Sequence, residues 1–237
     1  MKTLAIIPAR GGSKGIPGKN LAQLNGRPLI EYTISAAQSC DKINHIFVSS
    51  DDDKILKHCA NLGVDTEYVR PSHLASDTAG MFEVVMDALD WLAKKKQVQP
   101  EIILLLQPTS PLRNTNDIDK ILSLLESSGH NSAVSVHEMT EHPLECIQSN
   151  VEGWDNLKEQ SGRLVRRQDY ERKYYFINGA IYAFTPEFLK KEKLFAKPGK
   201  STALCEMPSH RGIDINTLED LYRAEAYLAH PKLNNIN

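Results

Sequence analysis

The sequence contains no apolar run near the length of a membrane-spanning helix; its most hydrophobic stretch, Ile102 to Leu106, is only a few residues long. Cysteine is scarce. Cys40, Cys59, Cys146 and Cys205 stand at no paired spacing, which argues against a zinc site or a disulfide framework and fits a reducing compartment. Positive charge is not in excess. Lys plus Arg number 28 against 30 Asp plus Glu, a net charge of -2, so the chain as a whole is no basic nucleic-acid binder. The N-terminal "LAII" is too short for a secretory h-region and stops at Pro8. A cytoplasmic protein that engages neither membrane nor nucleic acid is the expectation. Acid is missing from one place in particular: no Asp or Glu precedes Glu31, while Lys2, Arg10, Lys14, Lys19 and Arg27 do. A cationic segment in a slightly acidic protein suggests a small anionic ligand.

What is present is ordinary globular composition. The 237 residues are 41% hydrophobic and 24% charged, enough for one sizeable core, with neither an internal repeat nor a low-complexity tract. Strand-like and helix-like stretches alternate. "TLAIIPA", "HIFVSSD", "DTEYVR", "EIILLLQP", "SAVSVHEM" and "NGAIYAF" read as strands. Helices are expected from Pro28, a proline suited to a first turn, over "DDKILKHCANLG" closed by Gly63, over "AGMFEVVMDALDWLAKKK", over "NDIDKILSLLESSG" and over "TLEDLYRAEAYLA". In the third of these, Met81, Phe82, Val85, Leu89 and Leu92 form one apolar face. This rhythm predicts an α/β fold with a doubly wound, mostly parallel sheet. Ligands bind such sheets at the carboxyl ends of the strands. The glycine-rich loop, "SSD" and "QPTSPLR" each follow a strand directly, so they are expected on one rim. Between about 140 and 177 the pattern breaks into a polar, turn-rich stretch, read as an inserted arm within a single domain over 1–237.

The loop "ARGGSKGIPGKN" (9–20) carries the chemistry. A P-loop would need glycine at position 13 and a hydroxyl at 20, where Ser13 and Asn20 stand; Gly11-Gly12-Ser13 breaks the dinucleotide fingerprint. Glycines nevertheless allow backbone N–H groups to close on an anion. Arg10 offers a planar fork, and Lys14 and Lys19 offer point charges. The competing interpretation is a flexible turn with solvated charges.

"IIPARGGSKGIPGKN", "RPSHLASDTAG", "LLLQPTSPLR", "INGAIY" and "GIDINTLEDL" occur in that order. Together they closely resemble the CMP-sialic acid synthetases, the cytidylyltransferases of N-acylneuraminate and its relatives, including the CMP-legionaminate type. The resemblance spans roughly residues 3 to 228. It implies a Rossmann-like nucleotidyltransferase fold, and an enzyme that joins CTP to a nonulosonic acid and releases pyrophosphate. It further implies magnesium as cofactor and a homodimer whose arm reaches the partner.

Residue by residue, the resemblance implies that Arg10, Lys14 and Lys19 act catalytically on the CTP phosphates. Gly11, Gly12, Ser13 and Asn20 would line the nucleotide, and Arg70 and Ala79 would meet the cytosine. A family serine is replaced by Met81, which also fits a core position. Gln107, Asn178, Gly179 and Arg167 (or its neighbour Arg166) would face the sugar, although Asn-Gly is equally a hairpin signal. Glu145 replaces a family lysine in the arm. The metal would rest on Asp214 and Asn216, the latter standing where the family often has a second aspartate. Alternation on an extended segment puts both side chains on one side. Asn216 also reads as an N-cap for the last helix, with Glu219 as a capping-box acid. N-acetylneuraminate is the first choice of acceptor and legionaminate the alternative. A nucleotide-sugar binding protein without turnover is the rival from another class.

Overall fold

The computed structural model describes residues 2–151, 153–157 and 173–230. Its main sheet has six strands in the order β10-β6-β9-β5-β1-β4. These are β1 (Thr3–Pro8), β4 (His45–Ser49), β5 (Ile102–Leu105), β6 (Ser132–Glu138), β9 (Tyr175–Phe184) and β10 (Thr202–Glu206). β1 pairs in parallel with β4 and β5, and β10 in parallel with β6. β9 alone runs antiparallel, inserted between β5 and β6. Two short hairpins, β2–β3 (Gln23–Leu24 and Arg27–Pro28) and β7–β8 (Ile147–Asn150 and Gly153–Asn156), lie outside it.

Alternation along β1 sends its side chains to two cores. Ala5 and Ile7 join α1 (Leu29–Gln38), α2 (Asp53–Ala60) and α4 (Thr115–Ser128) on one face. Leu4 and Ile6 join α3 (Met81–Lys96) and α5 (Pro186–Glu192) on the other. The doubly wound, mostly parallel architecture expected from the alternation is therefore present. A third cluster packs Ile16 and Leu24 against Ile213, Ile215 and α6 (Leu218–Ala229). It holds the glycine loop against the segment that leads into α6.

Several details differ from the sequence-based expectations. "DTEYVR" forms only two isolated bridges, Phe47 to Asp65 and Ser50 to Val69, rather than a strand. Pro28 caps α1 from outside instead of occupying its first turn. α6 is capped by Thr217 in a capping box with Asp220, one position beyond the expected Asn216 and Glu219 pair. Asn178-Gly179 is no hairpin turn. It lies in the middle of β9, where the pairing with β6 jumps from Val134–Tyr182 to Val136–Ile177. Gly179 has φ +73, so the interruption is a bulge built on a left-handed residue. α5 and β10 were not foreseen, being short and without distinctive pattern. The described part of the expected arm holds a short turn at Pro143–Glu145, which contains Glu145, and the β7–β8 hairpin with an exposed Trp154. β9 begins at Tyr175, so the sheet resumes just before the expected boundary at 177. Arg166 and Arg167 lie outside the described residues.

Candidate active site

Three strand ends meet at one rim, as the loop positions suggest. The Ala9 N–H donates to the Ser49 carbonyl at 2.9 Å, and the Leu106 N–H to the Ile6 carbonyl at 3.0 Å. The Gly11 N–H donates to Asp51 Oδ1 at 3.0 Å, which ties the glycine loop to "SSD". Asn20 is buried, and its amide donates to the Arg10 carbonyl at 2.9 Å, so it closes the loop on itself. Gly11 packs so closely on Asp52 that a Cβ would meet that side chain at 2.8 Å. A small cavity opens above this rim. Arg10, Ser13, Lys19 and Asn20 line it from the loop, with Arg70 and Gln107 opposite. Gly12 also lines it, as does Met81, which packs against the core at the same time. The two interpretations of Met81 therefore coexist. Ala79 lies two residues before it and forms no part of that wall.

The cations of the loop converge. Arg10 and Lys14 both hold the Asp77 carboxylate, at 2.7 and 3.0 Å. Hydrogen bonds from Lys14 and then Arg10 keep Asp77 below the usual carboxylate range. Asp77 is thus the carboxylate on which Arg10 and Lys14 meet. Arg70 is 4% exposed, and its guanidinium donates to Ser49 Oγ at 3.0 Å and to the Ser49 carbonyl at 2.5 Å. Burial lowers its pKa, and Asp51 opposes the shift.

Lys19 reaches away from its own loop. Its Nζ donates to the Ile215 carbonyl at 2.8 Å and lies 3.4 Å from Asn216 Oδ1. Desolvation lowers its pKa below the ordinary 10.5, and the Asp214 charge opposes that shift. The free protein should therefore lose kcat/KM for a phosphate-bearing substrate on an alkaline limb below the ordinary lysine value, as Lys19 deprotonates. The folded pKa lies below the unfolded one, so folding releases a proton in that window and the contribution of Lys19 to stability rises with pH while activity falls. Lys19→Arg should move the limb upward, because guanidinium does not titrate there. A limb unchanged in that variant would exclude Lys19 as its origin.

Asp214 and Asn216 do share one side of an extended segment. Asp214 Oδ2 accepts from Asn216 Nδ2 at 2.7 Å, while Asp214 Oδ1 is buried without a partner. An orphaned carboxylate oxygen in a polar cleft fits a hard cation. Magnesium commonly takes one or two protein carboxylates and completes its shell from phosphates and water. Among the described residues no group of three or more His, Cys, Asp or Glu side chains is arranged to hold a metal. On the far side of Asp214 a second cavity of about 490 Å³ is bounded by His137, Phe176, Gly212 and Arg223.

Gln107 follows β5 and lies across Gly179, whose added Cβ would sit 3.8 Å from Gln107 Oε1. Asn178 is buried; its Oδ1 accepts from Ser135 Oγ at 2.6 Å and from the Ala180 N–H at 3.1 Å. Its side chain is thus a strut for the bulge, and Gly179 is the open surface beside it. Sequence inspection missed two features. Ile16, 6% exposed, roots the glycine loop in the third core, and burying such a side chain contributes roughly 2 kcal/mol. Gly15 lies against Asn216, where a Cβ would come 2.2 Å from the backbone carbonyl oxygen. Gly15→Ala should force the loop from the 213–216 segment and lower turnover by about 100-fold with only a few degrees lost in melting temperature. Unchanged turnover in that variant would show that the two segments need not touch.

Residues 4–207 match the family model described as cytidylyltransferase. A CMP-N,N'-diacetyllegionaminic acid synthase of Legionella pneumophila is 33% identical over 92% of each chain. An N-acylneuraminate cytidylyltransferase of Streptococcus agalactiae is 31% identical over 96% of this chain and 54% of that longer protein. Among solved structures, a CMP:2-keto-3-deoxy-manno-octonic acid synthetase complexed with CTP superposes with a TM-score of 0.67 at 16% identity, covering 98% of this chain and all of the other. That last likeness concerns the fold.

Proposed function

The chain belongs to the cytidylyltransferase family, and from that premise we propose that it joins CTP to a nonulosonic acid, giving a CMP-sugar and pyrophosphate. The observation that carries the reading is the cationic grip. Arg10 and Lys14 converge on one carboxylate at the rim where Lys19 and the orphaned oxygen of Asp214 also stand.

A triphosphate would replace Asp77 in that grip, with Gly11, Gly12, Ser13 and Asn20 shaping the loop around it. Arg70 would face the base from the opposite wall. The sugar's anomeric hydroxyl would attack the α-phosphorus in line; its O–H proton is given up as the O–P bond forms, and the bond to the pyrophosphate oxygen breaks. Arg10, Lys14 and Lys19 would offset the charge that develops on the phosphate oxygens. Asp214, with Asn216 beside it, would hold magnesium, which when bound supplies charge neutralisation at the phosphates. Gln107 and Gly179 would form the floor of the acceptor site, with hydrogen-bonding capacity in the Gln107 amide.

We also assign a homodimer and a cytoplasmic setting to this reading. The support for the dimer is a set of exposed apolar residues on the hairpin and at the start of β9: Ile147, Trp154, Leu157, Phe176 and Ile177. A monomer in light scattering at assay concentration would oppose it.

The decisive measurement is pyrophosphate release with CTP against a panel of N-acetylneuraminate, legionaminate and pseudaminate-type acids, with and without magnesium. Magnesium-dependent release with at least one acid is expected. CTP binding without release for any of them would favour a nucleotide-sugar binding protein.

A further inference from the structure

Arg113 closes the "QPTSPLR" segment, and its position is unusual for an arginine. It is 2% exposed and ranks among the largest fully buried side chains. Desolvation lowers its pKa to about 10, which leaves it charged at neutral pH. Among the described residues no carboxylate bonds it. Asp117, the nearby acid, receives Arg211 at 3.0 Å and the Asn114 N–H at 3.1 Å instead. A buried cation without a bonded counter-charge is expensive, and an apolar side chain of similar volume would fill the same space.

The hydrogen bonds show what the charge accomplishes. One terminal nitrogen of Arg113 donates to the Gln107 carbonyl at 3.2 Å and to the Ala180 carbonyl at 2.8 Å. The other donates to Thr33 Oγ1 of α1 at 2.5 Å. Gln107 and Ala180 belong to the two segments that face each other beyond the end of the β5–β9 ladder. That ladder runs from Ile103–Phe184 to Leu105–Tyr182 and stops there, because β9 bulges at Gly179. Past that point no backbone pair holds Gln107 opposite the bulge. The guanidinium bridges the gap with two bonds from one atom to two backbone carbonyls, anchored on a helix that is itself packed in the core.

We propose that Arg113 is a positioning residue for the acceptor sugar: it sets the separation of Gln107 and Gly179, and so controls sugar binding and alignment but not CTP binding. The inference rests on the reading of those two residues as the acceptor floor. Arg113 does not touch the loop cations or Asp214 in any described hydrogen bond, so its removal should leave the phosphate grip unaltered.

The test uses the full chain with Arg113→Lys, Arg113→Met and Thr33→Val. Sugar KM and kcat are measured by pyrophosphate release at saturating CTP, and CTP affinity by calorimetry without sugar. Displacements near 1 Å in such floors cost about 100-fold in rate. Arg113→Met should therefore raise sugar KM and lower kcat by a combined factor of about 100, with CTP affinity within roughly threefold of the parent. Arg113→Lys, whose one nitrogen can stand in for the atom that spans both carbonyls but not also for the second that reaches Thr33, should recover only part of the loss. Thr33→Val keeps the charge and the volume and removes the anchor together with the Thr33 Oγ1 bond to the Gln107 carbonyl at 3.5 Å; a sugar KM raised about threefold is expected there, so the idea stays testable if Arg113→Met fails to fold. Equal losses for sugar and CTP, or a lower melting temperature with unchanged sugar kinetics, would overturn the proposal as a purely structural role. If the parent protein binds CTP but releases no pyrophosphate with any acid, the functional reading itself fails and this proposal with it.

Discussion

Lys19→Ala is expected to lose turnover by about 100- to 1,000-fold while melting within a few degrees of the parent. The size of the effect follows from position. Lys19 Nζ bridges the glycine loop to the Ile215 carbonyl and stands beside Asp214 and Asn216, so it is the one loop cation that faces both the phosphate grip and the candidate metal carboxylate. A preorganised cation in a partly desolvated cleft stabilises developing charge far better than the same group in water. Little stability is lost, because Lys19 is half-buried and its ordering already carries a desolvation cost. Pyrophosphate-release kinetics and a thermal melt measure the two quantities. Turnover within a few-fold of the parent would remove Lys19 from the chemistry, and a collapsed melt would reassign it to the fold.

Asp214→Asn should lower the magnesium-dependent rate by about 100-fold and shift half-saturation to higher magnesium. The substitution is nearly isosteric, but it replaces an oxygen by a donor in a site where Asn216 Nδ2 already donates at 2.7 Å and where Oδ1 has no partner. One of the two positions must end as a donor without an acceptor. There is a second readout besides the magnesium titration. Asp214 raises the Lys19 pKa against desolvation, so its loss should carry the alkaline limb of kcat/KM for CTP to lower pH. An unchanged magnesium titration together with an unmoved limb would show that Asp214 neither holds the metal nor tunes the lysine.

Much of this was legible in the sequence for local reasons. The strand–helix alternation comes from apolar periodicity, so β1, β5, α3 and α4 appear where it places them. The phosphate-loop character of residues 9–20 comes from glycine spacing and the lack of acid, both properties of the segment itself. Failures occurred where a distant partner decided the outcome. Asn178-Gly179 reads as a hairpin, but β9 is held on both sides by β5 and β6, and the left-handed glycine became a bulge. Asn216 reads as a cap, but Thr217 takes that role because Asp220 answers it and Lys19 lies beside Asn216. Asp77 gave no local sign that it would be held by Arg10 and Lys14.

Local sequence specifies most of the helices and strands, the sidedness of their apolar faces and the cationic, glycine-rich character of the loop, since each depends on residues within one or two turns of each other. Tertiary structure alone decided the site. Lys19 and Ile215 are 196 positions apart, and Arg113 and Ala180 are 67 apart. Such contacts exist only after the sheet has formed, with β9 inserted antiparallel at its centre. The physical reason is that they are made to backbone carbonyls, which every residue carries, so no side-chain pattern announces them.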